Sequence, residues 1–157
     1  MWIELNMLRL HRWAHWLHLR KVPLFPKLLC ALLYLVTNSK IPAECRIGAG
    51  SYLAHGGVGV VINRDSDIGE RVSIGQGVTI GGSFGSRAPS IGSDVWISAG
   101  ARVLGGITIG SNVIIGANAV VIRSVPDDCI VAGVPARVIR QLAPGSLDTL
   151  SGVIRGS

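Results

Sequence analysis

Residues 91–121 read IGSDVWISAGARVLGGITIGSNVIIGANAVV. Large aliphatics recur at every sixth position: Ile91, Ile97, Val103, Ile109, Ile115 and Val121. Four residues after each of the first five stand Val95, Ala101, Ile107, Val113 and Ala119, all small or β-branched. A period of six is neither the 3.6 of a helix nor the simple alternation of a strand. It fits a short strand, a tight turn and the next strand, with one large aliphatic per strand pointing inward. Three such strands close one triangular coil. Stacked coils line the aliphatics into ladders, and glycine or asparagine is expected at corners that need a positive φ. The chain is therefore read as an all-β solenoid.

The same spacing occurs upstream at Ile62, Ile68, Ile74 and Ile80, and a first fragment of it at Ile47 and Leu53. It breaks twice. Between Leu53 and Ile62 the step is nine, so three extra residues enter. They fall in AHGGVGVV (54–61), which holds His55, the only histidine beyond residue 20. Between Ile80 and Ile91 the step is eleven, and GGSFGSRAP (81–89) reads as a loop leaving a corner. Such excursions are where a solenoid can place a site. After Val121, two prolines in SVPDDCIVAGVPARVIR end the pattern. Three segments result: a helical one at 1–40, the solenoid at 41–140, and a tail at 141–157 expected to be poorly ordered.

Charge is unevenly placed. The net charge is +6, yet residues 1–46 hold seven Lys/Arg (Arg9, Arg12, Arg20, Lys21, Lys27, Lys40, Arg46) against Glu4 and Glu44. Basic charge there suits anionic lipid or nucleic acid, while the near-neutral body argues against a nucleic-acid groove along the rest of the chain. Residues 3–20 show a helical pattern, with Ile3, Met7, Leu10, Ala14 and Leu17 as the expected packing stripe. Trp2, Trp13 and Trp16 fall on the other side with Arg9, Arg12 and Arg20. Tryptophan beside arginine is a membrane-interface signature. The alternative, favoured here, is that these rings cap the solenoid or pack on another subunit. A second helix is expected from Lys27 to Val36, too short to span a bilayer. The start has an acid at Glu4 and no small-residue cleavage site, so it is not read as a signal peptide.

The chemistry available is narrow. There is no G-x-S-x-G, no phosphate loop with GK[ST] and no H-E-x-x-H. Cys30, Cys45 and Cys129 are odd in number and widely spaced, which reads as reduced thiols in a cytoplasmic protein. Cys45 lies at an inward position and is not read as a nucleophile. Ser51 is four residues from His55, but no third group is evident to orient that histidine. His11, His15 and His18 share a helical face without a carboxylate or thiol beside them, and are read as a surface or interface stripe with no metal. A metal-dependent solenoid enzyme would need several histidines along the coils. One histidine in a Gly-rich extension can serve as a lone general base. It would take a proton from an acceptor hydroxyl, which then attacks an activated carbonyl held in place by backbone N–H groups.

IPAECRIGAGSYLAHGGVGVVINRDSDIGERVSIGQGVTIGGS followed by IGSDVWISAGARVLGGITIGSNVIIGANAVVIRSVPDDCIVAGVPARVI resembles hexapeptide-repeat acyltransferases of the serine acetyltransferase type, over about residues 41–140. The resemblance implies a left-handed parallel β-helix, a homotrimer with active sites between subunits, and direct acetyl transfer from acetyl-CoA to a hydroxyl. It puts the catalytic histidine at His55 and the CoA-lining positions at Gly82, Ala99, Gly100 and Ala117. Arg137 is placed to meet a CoA phosphate, Arg140 less well, and Arg87 to contact the acceptor. The chain departs from the family at Ala54, Lys40 and Ala88, where aspartate, aspartate and histidine are usual. Short surface-polysaccharide O-acetyltransferases share the resemblance, with a brief basic N-terminal segment and a stretch like GVGVVIN. The acceptor is thus left open between L-serine and a sugar of a polysaccharide precursor. A cytoplasmic enzyme is implied, at the inner face of the membrane if the Trp/Arg helix meets lipid. The contrasting reading is a non-catalytic solenoid that binds a partner or a membrane surface.

Overall fold

A computed structural model describes residues 7–82 and 87–147. It is a parallel β-solenoid of three faces behind two helices. The first face stacks Arg46–Ile47, Asp67–Ile68, Ser90–Ile91 and Thr108–Ile109. The second stacks Tyr52–Leu53, Ser73–Ile74, Trp96–Ile97, Val113–Ile115 and Cys129–Gly133. The third stacks Val61–Ile62, Thr79–Gly81, Arg102–Leu104 and Val120–Val121.

The six-residue period is the ladder register itself. Leu53, Ile74, Ile97, Ile115 and Val131 are successive partners on the second face. Ile62, Ile80, Val103 and Val121 align on the third, and Ile47, Ile68, Ile91 and Ile109 on the first. Nearly all are fully buried. Each contributes about 1.5–3 kcal/mol of burial, so the column of aliphatics, not any single strand of two or three residues, holds the coils. Backbone contact between coils is close. A Cβ on Gly69 would come within 2.5 Å of the Gly92 carbonyl oxygen, so that position admits only glycine.

The corners differ in part from expectation. One edge carries Gly59, Gly77, Gly100 and Asn118 at positive φ, as foreseen. The next carries Gly50, Arg71, Asp94, Asn112 and Asp128. Left-handed backbone at an L-residue costs about 1–2 kcal/mol. Here the side chains pair from coil to coil and offset it. Arg71 donates through Nε and Nη2 to both carboxylate oxygens of Asp94, at 2.6 and 2.7 Å, and Asn112 donates to Asp128 at 2.6 Å.

The last strand, Ala136–Gln141, turns back antiparallel on Cys129–Gly133 and closes one end of the second face. The chain beyond it is not loose as far as Leu147. Leu142 N–H bonds the Asp128 carbonyl at 2.7 Å, and buried Leu147 donates its N–H to Asn112 Oδ1 at 3.0 Å. Residues 148–157 lie outside the described residues.

At the other end stand α1 (Met7–Leu19) and α2 (Phe25–Thr37). The packing face of α1 matches the expected apolar stripe in part: Ala14 is buried and Leu10 packs against the core. Leu8, His11 and Ala14 are buried, whereas Leu10 and Leu17 are half-exposed, and Ile3 and Trp2 lie outside the described residues. Of the three histidines, His11 and His15 lie at an interface, the one with the solenoid, and His18 is exposed. His11 Nε2 donates to the Pro42 carbonyl at 2.9 Å and His15 Nδ1 to that of Ala43 at 2.7 Å, with the two rings stacked 6.2 Å apart. Carbonyls ahead of the first coil have no strand to pair with, and imidazole N–H groups satisfy them. Trp13 and Trp16 do not cap the solenoid; both are exposed.

Candidate active site

The three extra residues after Leu53 form a short 3₁₀ turn, Ala54–Gly57, at the edge where the second face passes into the third. His55 stands on it, exposed, with φ 51° and ψ 39°. Left-handed backbone at a non-glycine residue stores about 1–3 kcal/mol and persists only when its surroundings fix it. They do so here. Gly59 N–H bonds the Thr37 carbonyl at 3.2 Å, Ser39 Oγ donates to the Gly57 carbonyl, and Val60 N–H donates to Ser39 Oγ at 3.2 Å. Lys40 runs beside the next strand, its N–H on Val60 O and its carbonyl on Ile62 N–H, both at 2.8 Å. The end of α2 and the residues after it therefore back the turn. The His55 ring makes no hydrogen bond to any described residue, so it faces outward with both nitrogens available.

Below the turn, the same edge continues through Gln76, Ala99 and Ala117. Gly77 N–H bonds Val58 O at 2.9 Å, Gly100 N–H bonds Gln76 O at 2.9 Å, and Asn118 N–H bonds Ala99 O at 3.0 Å. The N–H groups of Ala99 and Ala117 have no partner among the described residues. Small side chains leave this strip of backbone bare. On the far coil Arg137 pairs with Ala132, exposed, its guanidinium on its own preceding carbonyl at 2.9 Å. Four coil steps of about 4.8 Å separate the His55 turn from Gly133 and its neighbours. The edge is a track about 19 Å long, with a histidine at one end and an arginine at the other.

Gly82 and Arg87 sit elsewhere. They lie between the third-face strand Thr79–Gly81 and the first-face strand Ser90–Ile91, and Arg87 is exposed beside Gly106. Within one chain they do not join Ala99, Gly100 and Ala117. Ser51 is also set apart, with its hydroxyl on Gly69 O and accepting from Val72 N–H, so no Ser–His pair forms. Cys45 is fully buried, and desolvation with the nearby Asp67 charge pushes its thiol up to about 12. No group of three or more His, Cys, Asp or Glu that could hold a metal ion occurs among the described residues.

Residues 88–123 match the family profile described as bacterial transferase hexapeptide, six repeats. The serine acetyltransferase of Synechococcus elongatus is 47% identical over 132 residues, covering 82% of this chain and 54% of that protein. This chain belongs to the hexapeptide-repeat transferase family. Among solved structures, serine acetyltransferase from Brucella abortus superposes with a TM-score of 0.82 at 37% identity, over 87% of this chain and 57% of that one. The same Brucella abortus enzyme in complex with coenzyme A gives 0.81 at 37% identity, over 87% and 55%. The chain spans about half the length of the curated relatives it matches.

Within the hexapeptide-repeat frame, sequence reading singled out the edge at Ala99, Gly100 and Ala117 and the turn at His55. It missed Thr37 and Ser39, which hold that turn from the end of α2. Their contribution is a hydrogen bond to backbone across about twenty positions, and no local pattern encodes that.

Proposed function

We propose that this chain transfers an acetyl group from acetyl-CoA to an acceptor hydroxyl, with His55 as the general base. One observation carries the reading. The turn bearing His55 and the bare N–H groups of Ala99 and Ala117 share one edge of the solenoid. A coenzyme laid along that edge would present its thioester at the histidine end. Its amides would meet the Ala99 and Ala117 backbone and its phosphates Arg137. His55 takes the proton of the acceptor hydroxyl as the oxygen attacks the thioester carbonyl, and returns it to the departing CoA thiolate. No acyl-enzyme is needed, since Ser51 and Cys45 are tied up or buried. Residues 41–140 carry this chemistry.

Gly82 and Arg87 enter through assembly. A three-fold ring sets one edge of each coil against a different edge of its neighbour. In a homotrimer Gly82 and Arg87 would thereby face the neighbour's Ala99–Ala117 track, with Arg87 toward the acceptor. L-serine is the first acceptor to test, because the similar proteins are serine acetyltransferases. A sugar hydroxyl is the second, favoured by Ala54 and Ala88, which replace the acid and the histidine of the serine-type pattern. Acetyl-CoA as donor makes the enzyme a cytoplasmic one.

The deciding experiment is CoA release from acetyl-CoA, read with a thiol reagent over L-serine and a panel of sugars, for wild type and His55→Ala. Turnover that falls at least about a hundredfold in the variant supports the reading, and the acceptor that turns over names the substrate. A wild type that neither turns over nor binds CoA would leave a non-catalytic solenoid.

A further inference from the structure

The helices keep one face on each other and on the first coil, and turn the other outward. On α2, Pro26 and Leu33 are buried, while Leu28, Leu32 and Leu35 are 67, 56 and 80% exposed, with Leu24, Phe25 and Val36 exposed beside them. At about 100° per residue, Leu28, Leu32 and Leu35 form one stripe. On α1, Arg9, Arg12, Trp13 and Trp16 line an open groove of about 450 Å³. Arg20 lies 3.9 Å over the Trp16 ring, and the Trp13 and Trp16 rings meet edge to face. From residue 7 to residue 43 there are six Lys or Arg and no acid.

We propose that this helical hairpin is a docking surface for an anionic lipid bilayer. The charge fits that occupant: residues 7–43 carry six Lys or Arg and no acid, with Glu44 next along the chain. A protein partner or a second copy of these helices would set Arg and Lys against a surface that must supply the acids, and residues 7–43 have none to offer. Leucines and phenylalanine enter the acyl boundary, indoles lie at headgroup depth, and guanidiniums meet phosphates. The helices lie on the membrane rather than cross it. Each has 13 residues, about 20 Å of helix against a hydrocarbon core of about 30 Å, and no helix among the described residues is long and apolar enough to span. The inference is independent of the acetyl-transfer reading, because binding needs no substrate.

The test is co-sedimentation of the purified full chain with vesicles of phosphatidylcholine alone and of phosphatidylcholine with phosphatidylglycerol, at low and high salt. Expected is binding to the anionic vesicles that weakens steeply with salt. Arg12→Gln and Arg20→Gln should each weaken it about fivefold. Leu28→Ser with Leu32→Ser should abolish it, with circular dichroism unchanged because both side chains are exposed. Failure of the wild type to bind anionic vesicles at low salt overturns the proposal. So does equal binding to both vesicle types. So does a wild type that ignores vesicles but loses oligomer mass in sedimentation velocity on the leucine changes, since the stripe is then a subunit interface.

Discussion

The Ser39 hydroxyl donates to the Gly57 carbonyl, two residues beyond His55, and accepts the Val60 N–H at 3.2 Å. One buried side chain thus fixes both ends of the stretch that follows the histidine. Ser39→Ala would leave two backbone groups without that partner, at a cost of about 1–3 kcal/mol. The loss falls on the turn and not on the ladders. Since a displacement of about 1 Å can cost about a hundredfold in rate, kcat is expected to fall ten- to a hundredfold. The KM for acetyl-CoA should stay near wild type, because Ala99 and Ala117 are untouched. Steady-state kinetics of Ser39→Ala beside Ser39→Thr, which keeps the hydroxyl, checks this; equal losses in both variants would show that the hydroxyl is irrelevant.

Acid should loosen the grip of α1 on the solenoid. Burial lowers the His11 pKa from its ordinary 6.5, against the opposing hydrogen bond to Pro42, and the nearby His15 and Arg12 charges push the same way as burial. The folded protein therefore holds His11 neutral where the unfolded chain takes up a proton. Stability from this group is complete above about 6.5 and is lost as pH falls below it. Tm measured from neutral pH down to about pH 5 should decline more steeply for wild type than for His11→Gln. Parallel curves would remove His11 as the cause.

The ladders were legible because a six-residue repeat has no other economical reading, and each anchor from Ile62 to Val121 lies where the period put it. The excursion that carries His55 was legible for the opposite reason: three residues too many in a strict repeat must leave the coil. The packing face of α1 was legible at Leu10 and Ala14 but not at His11, because histidine counts as polar in a hydrophobic pattern and only the Pro42 carbonyl gives the buried ring a partner. Arg71 and Asp94 were not foreseen as corner residues. Their tolerance of positive φ comes from a partner 23 positions away, and spacing alone does not reveal such pairs.

Those pairs carry a prediction of their own. Asp94→Ala removes the two Asp94 oxygens that accept from Arg71 Nε and Nη2, leaves Arg71 only its bond to Glu70 at 3.0 Å, and strips the corner of the bonds between its two left-handed L-residues. The pair is partly exposed, with side-chain exposures of 40 and 12%, so the expected loss is modest, about 1 kcal/mol after screening. Asp94→Gly removes the same bonds but relieves the backbone at that corner, and should recover part of it. Urea unfolding of the two variants decides; a glycine variant less stable than the alanine one would mean that backbone strain is not what the pair offsets.

The donor edge can be tested without touching His55. Ala117 is exposed, so Ala117→Leu should leave stability within about 0.5 kcal/mol of wild type. The larger side chain would project over the strip of bare backbone between Ala99 and Gly133. If acetyl-CoA lies there, its KM should rise at least about tenfold, equivalent to about 1.4 kcal/mol of lost binding, while kcat at saturation changes little. His55→Ala should do the reverse, with kcat lost and the affinity for CoA kept. Initial rates over acetyl-CoA concentration, with a direct CoA titration of both variants, separate the two. A normal KM in Ala117→Leu would move the coenzyme off this edge, and the His55 turn would then need a different donor site to serve.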